Sequence, residues 1–159
     1  MDIAKPLHSE IQRFSRWWII MVLFIPVLLV FIPGDVSISM LHLAICTIVC
    51  ILLALLFSMV RLELTITTDA IQYRLFPFQI RIRTILFNQL AEYRVRKYAP
   101  LLEYGGWGLR WGASGSAVTV KGRMGIQLVF KNGKRLLIGT SDAASASRIL
   151  SQRQFISSP

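Results

Sequence analysis

The sequence predicts a two-part chain: an N-terminal α-helical transmembrane hairpin of two spans, then a mainly-β barrel or sandwich capped by a C-terminal helix. Three observations predict it. Residues 17–60 hold two strongly apolar runs parted only by Pro33-Gly34-Asp35. Alternation of period two sets in at Arg61. From Ala143 onward the pattern is helical, following a loop that ends in capping residues.

Residues 1–16 form a short polar segment, expected to be cytoplasmic, in which Lys5, Arg13 and Arg16 accompany Asp2 and Glu10. The expected spans cover about 17–33 and 37–60. Each run is long enough to cross a hydrocarbon core of roughly 30 Å at about 1.5 Å per helical residue. Trp17 and Trp18 suit the interface at the start of the first span, and Pro26 is expected to kink it. Pro33-Gly34-Asp35 is the expected tight turn. A cleaved signal peptide is the competing reading. The first run exceeds a usual signal core and a second follows within three residues, so retention is expected. Basic residues flank the outer ends of the hairpin and none lies in the turn, which predicts both termini in the cytoplasm.

In the second run His42, Cys46, Cys50, Ala54 and Ser58 recur every four residues and share one helix face. A metal site is one reading, but the first run has no Cys, His, Asp or Glu to complete it. The stripe Cys46, Cys50, Ala54 and Ser58 is instead expected to let membrane helices pack closely. No metal or cofactor is expected. Cys46 and Cys50 are the only cysteines, so the remainder of the chain has no disulfide framework.

Residues 61–159 form the second domain. Leu62, Leu64 and Ile66 alternate with polar residues, as do Ile71, Tyr73 and Leu75, then Ile80 and Ile82 with Arg81 and Arg83, and Tyr93 and Val95 with Arg94 and Arg96. Val118 and Val120, then Ile126, Leu128 and Phe130, continue the inward sets. Asn132-Gly133 marks a two-residue hairpin, and Leu136 and Ile138 complete the last strand. The helix from Ala143 to about Phe155 has an apolar face of Ala146, Ile149 and Leu150. The final Ser157-Ser158-Pro159 is expected to fray.

The string Glu103-Tyr104-Gly105-Gly106-Trp107-Gly108-Leu109-Arg110 is followed by Gly115, Gly122, Gly125-Ile126-Gln127-Leu128, and Asn132-Gly133-Lys134 through Gly139-Thr140. With the order of the spans, this resembles a family of small bacterial two-span membrane proteins carrying a pleckstrin-homology-like (PH-like) domain, a family of uncharacterised function. The resemblance covers most of residues 61–140, and Ser141 departs from the Gln the pattern would have after Thr140. It implies a PH-like domain over 61–159 on the cytoplasmic side of a bacterial inner membrane. It supplies no catalytic residues.

Enzyme chemistry is disfavoured by residue content. After residue 60 there is no His and no Cys, which removes the usual triads and zinc-ligand sets from that part. The glycines between 105 and 125 lack a Gly-Lys-Ser/Thr ending and are expected to make tight turns, with Trp107 and Trp111 at a rim. Exposed, Trp107 would suit a membrane interface.

The net charge of +10 lies entirely beyond residue 60. Arg74, Arg81, Arg83, Arg94, Arg96 and Lys97 face only Glu92 between residues 70 and 102, and with Trp107 and Arg110 they are the candidate lipid- or partner-binding set. Phe76-Pro77-Phe78 reads as a buried turn in preference to an interfacial anchor. The expected function is a non-enzymatic module binding anionic lipid headgroups or a partner protein at the inner membrane surface. The alternative is a subunit of a larger assembly, or a homo-oligomer, using the hairpin and the PH-like face. Nucleic acid is the least favoured partner, since no groove-reading motif accompanies the arginines.

Overall fold

A computed structural model of the chain describes residues 6–14, 16–30, 39–112 and 114–157. They divide into two compact units, residues 14–60 and the remainder.

In the first unit, helix α1 runs Arg16–Val30 and α2 runs Met40–Met59, and the two pack together. The two-span hairpin does not emerge. Among the described residues only α2, with 20 residues, is long and apolar enough to cross a membrane. Helix α1 has 15 residues, which at 1.5 Å each reach about 22 Å against a core of roughly 30 Å. The expected turn at Pro33-Gly34-Asp35 falls outside the described residues.

Helix α2 is N-capped by Ser39, whose Oγ accepts from the His42 backbone N–H. Its hydroxyls are satisfied within the helix: Thr47 donates to the Leu43 carbonyl at 2.8 Å and Ser58 to that of Leu55 at 2.6 Å. An apolar environment demands such internal pairing.

The second unit is mainly β with a C-terminal helix. Its first sheet has the order β1-β2-β3-β4, all antiparallel: β1 His8–Arg13, β2 Arg61–Ile66, β3 Ala70–Phe76 and β4 Arg83–Leu86. Leu62, Leu64 and Ile66 sit opposite Leu75, Tyr73 and Ile71, and all six are buried. This is the face the alternation predicts. The residues after β3 differ from expectation. Strand β4 begins only at Arg83, and Ile80 and Ile82 lie exposed in the preceding loop instead of pointing inward.

Strand β1 comes from the segment expected to be a plain cytoplasmic tail. It pairs along its full length with β2, from His8 opposite Ile66 to Arg13 opposite Arg61. Residues on both sides of 14–60 therefore build one sheet. Polar side chains of β1 bind this edge to the far end of the unit. Buried Gln12 donates through Nε2 to the Gly139 carbonyl at 2.8 Å. The Glu10 carboxylate accepts from the Ser141 hydroxyl at 2.7 Å and from the Ser141 and Asp142 backbone N–H groups. Replacing Gln12 by Ala is expected to leave the Gly139 carbonyl short of a donor and cost about 1–2 kcal/mol, read as a lowered thermal midpoint of the purified chain.

The second sheet has the order β5-β8-β9-β7-β6, from β5 Leu90–Lys97, β6 Gly108–Gly112, β7 Gly115–Thr119, β8 Met124–Phe130 and β9 Arg135–Gly139. Only the β7–β9 pair is parallel. Between β8 and β9 the hairpin loop has three residues, Lys131-Asn132-Gly133, not the expected two: Phe130 N–H donates to the Lys134 carbonyl, and of the Asn132-Gly133 pair Gly133 alone takes a positive φ, of 79°. A short helix, α3 Pro100–Tyr104, links β5 to β6 and stops at Gly105, whose φ of 70° suits a left-handed cap. Helix α4, Ala143–Ser157, starts at Asp142, whose carboxylate accepts from the Ser145 N–H at 3.0 Å. Hydrogen bonding from Ser145, through its side chain first and then its backbone N–H, holds the Asp142 carboxyl below its usual range. Ala146 and Leu150 bury the apolar face of α4.

Candidate functional site

The cations grouped by sequence fall into two classes. Two are already committed to structure. Arg74 on β3 is half-buried and places Nε and Nη2 on the same Glu63 oxygen at 3.0 and 2.7 Å. Glu63 also ion-pairs with Arg61 at 3.1 Å. Arg96 on β5 grips Glu103 of α3 through Nη2 at 2.6 Å and Nη1 at 3.2 Å, and its Nε donates to Gln127 at 3.1 Å. Glu103 accepts in addition from the Ala99 N–H at 2.8 Å. The Arg96 hydrogen bond holds the Glu103 carboxyl below its usual range, and Glu103 in turn raises the Arg96 guanidinium. Such a carboxylate is a weak general base at neutral pH.

The second class faces solvent. Arg81, Arg83, Lys97 and Arg110 are exposed, with no carboxylate partner among the described residues; Arg94 is exposed and meets Glu92 at 3.5 Å. Arg110 donates through Nε to the Trp107 carbonyl. These residues do not form one patch in the chain's topology. Arg81 and Arg83 belong to the first sheet and its β3–β4 loop, whereas Arg94, Lys97 and Arg110 belong to the second.

On the second sheet the structure brings Lys97, Trp107 and the α3 segment together. A cavity of about 530 Å³ is lined by Tyr98, Pro100, Leu101 and Trp107, with the cations Lys97 and Arg123 and the Glu103 carboxylate that Arg96 holds. Register explains the pairing of charges: Lys97 sits opposite Met124, next in sequence to Arg123. Trp107 is half-buried and fixed by its indole N–H, which donates to the Gly122 carbonyl at 3.1 Å. Beneath, Tyr98 and Tyr104 stack edge-on at 6.2 Å within a buried cluster with Ala117 and Leu137. Burial pushes both phenols up.

Sequence reasoning missed Arg123, Leu101 and Leu102 as surface features, whereas Trp111 was expected at a rim. Leu101 and Leu102 are 68% and 91% exposed on α3, and Trp111 is 73% exposed. A signal existed: two adjacent leucines after Pro100 fit neither the period of a strand nor the buried face of so short a helix. The surface can donate hydrogen bonds to an oxyanion and offer apolar contact beside it.

The α2 stripe lies in the other unit. Cys50 and Ala54 are buried, Cys46 is half-buried, and His42 and Ser58 are exposed. His42 Nδ1 lies 2.6 Å from Ser39 Oγ. Among the described residues no three of His, Cys, Asp and Glu gather closely enough to hold a metal ion. No protein-family model matches the chain, and no curated protein shows significant similarity to it.

Proposed function

We propose that the chain is a membrane-associated, non-catalytic module whose β-rich body engages anionic headgroups through cations that no carboxylate neutralises. The observation that carries the reading is the division of the arginines. Arg74 and Arg96 are held by glutamates, while Arg81, Arg83, Lys97, Arg110 and Arg123 stay exposed and unpaired among the described residues. The tether is α2, which runs through Val60 directly into Arg61 of the body. Near an anionic leaflet each such cation contributes about 1 kcal/mol, fading within a Debye length of roughly 10 Å. Three or four together are enough to hold a tethered body against lipid.

The reading places the chain at a bacterial inner membrane with its basic body on the cytoplasmic face, where positive charge is favoured. The pairing of β1 with β2 supports one side for residues 8–13 and 61–66 alike. The PH-like resemblance belongs to the same proposal and draws support from the two sheets and C-terminal helix α4.

The test uses the full chain in nanodiscs of phosphatidylcholine alone or mixed with phosphatidylglycerol, with hydrogen exchange as the readout. Protection at 94–97 and 121–124 is expected only with the anionic lipid, and it should fall as salt rises. Equal exchange in both lipids removes the headgroup half of the reading. A protein partner is the second reading, favoured by the exposed Leu101 and Leu102 beside the 530 Å³ cavity. It expects the same segments to be protected by a co-purifying protein regardless of lipid charge.

A further inference from the structure

The β3–β4 loop carries a cluster that neither the fold nor the surface around α3 uses. Phe78, Ile80 and Ile82 are 57%, 78% and 56% exposed, although each is a large apolar side chain. Arg81 and Arg83 interleave with them, exposed and without a carboxylate partner among the described residues. Three large apolar residues and two bare cations within six positions are costly in water and well suited to a headgroup boundary. The expectation of a buried turn at Phe76-Pro77-Phe78 is corrected here: Phe76 and Pro77 are half-buried, and Phe78 projects outward.

Register locates this loop. Arg13 at the end of β1, Arg61 at the start of β2 and Phe76 at the end of β3 lie in one row across the sheet. Arg61 also stacks over the Phe76 ring at 5.1 Å. The loop therefore leaves the sheet at the end where the chain passes into the apolar segment 14–60 and returns from it, and it rejoins the sheet at Arg83 opposite Tyr73, three residue steps further along. The Thr67-Thr68-Asp69 turn is at the opposite end, five residue steps along the strand, or about 17 Å at 3.3 Å per residue.

We infer that residues 77–81 form an interfacial membrane anchor, with Phe78 and Ile80 seated at the acyl–headgroup boundary and Arg81 on lipid phosphates, while Ile82 lies back over the sheet beside Tyr73 and Arg74. This rests on the membrane reading proposed above and names a contact that reading leaves open. The apolar side chains at 78 and 80 enter lipid, while the Arg81 guanidinium stays at phosphate level, as interfacial segments require. The occupant is a bilayer because the loop leaves the sheet in the same register row as Arg13 and Arg61, where the chain enters and leaves the apolar segment, and its charge is purely positive.

The experiment reads depth. The full chain with Cys46→Ala and Cys50→Ala receives a nitroxide through Ile80→Cys, Thr68→Cys or Leu52→Cys, and is reconstituted in mixed phosphatidylethanolamine and phosphatidylglycerol. Collision with oxygen is compared with collision with a water-soluble nickel chelate. The expected result is a several-fold preference for oxygen at 52 and 80 and for nickel at 68. All three substituted sites are exposed, so the fold is preserved. A label at 80 as nickel-accessible as at 68, with 52 still in lipid, overturns this anchor alone. If 52 also reads as aqueous, the membrane reading falls and the anchor falls with it.

Discussion

Gly115→Ala is expected to lower the unfolding free energy by about 3 kcal/mol, from two costs that act together. The glycine has a φ of 105°, a region side chains avoid, and an added Cβ would lie 2.6 Å from the Arg135 carbonyl oxygen and 2.8 Å from the Arg135 Cβ. Arg135 opens β9, and β7 and β9 run parallel from Ser116 opposite Leu136. Neither backbone can retreat without breaking that register. The thermal midpoint of the body should fall by roughly 10–20 °C for a domain of this size. Gly122→Ala is the control: φ is 80°, but nothing lies within 4 Å of the added Cβ. It should cost only about 1 kcal/mol, from backbone strain. Equal midpoints for the two variants would show that the close β7–β9 approach is not what demands glycine at 115.

How much of this was legible depended on whether a residue's surroundings lie near it in sequence. Strands β2 and β3 were readable because their buried residues alternate and the strands are neighbours. Gly133 was readable because hairpin chemistry is local. Strand β1 was hidden for two reasons. Its partner begins at Arg61, beyond the whole apolar segment, and its pattern is inverted, with Gln12 buried and Ile11 62% exposed. A strand whose inward face is held by hydrogen bonds to Gly139 and Ser141 has no hydrophobic period to detect.

Alternation also misled at Ile80 and Ile82. Period two states that two side chains share a face, not that a partner strand covers that face. The basic set shows the same limit. Arg74 and Arg81 look equivalent in sequence, yet Glu63 sits opposite Arg74 in register and nothing similar meets Arg81. The helical segment was read by apolarity along each whole run, whereas among the described residues only α2 is long and apolar enough to cross a membrane.

Acidification is expected to loosen α3 before it unfolds the sheets, because Glu103 holds that helix. Its carboxylate takes two hydrogen bonds from Arg96 and one from the Ala99 N–H, and both charged side chains are about one-quarter exposed. A carboxyl whose folded pKa lies below its unfolded value stabilises the fold above the unfolded value, near 4.5. That contribution is lost as pH falls through the lower folded value. At neutral pH it is fully present. Glu103→Ala should therefore cost about 2 kcal/mol at neutral pH, since it also leaves Arg96 without its partner. The variant's deficit relative to wild type should shrink as pH drops below about 4.

Measuring the difference between variant and wild type cancels whatever the two share. Hydrogen exchange at 99–104 gives the local reading, and faster exchange there should precede loss of protection at Ile126 and Leu128. Parallel midpoint curves from pH 7 to acid would mean that Glu103 carries no linked stability. The surface itself depends on this pair. Leu101 and Leu102 project from a five-residue helix, and Arg96 and the Ala99 N–H hold that helix through Glu103. On the proposed headgroup reading, losing the pair should weaken binding to anionic vesicles at the Lys97–Arg123 surface without removing either cation.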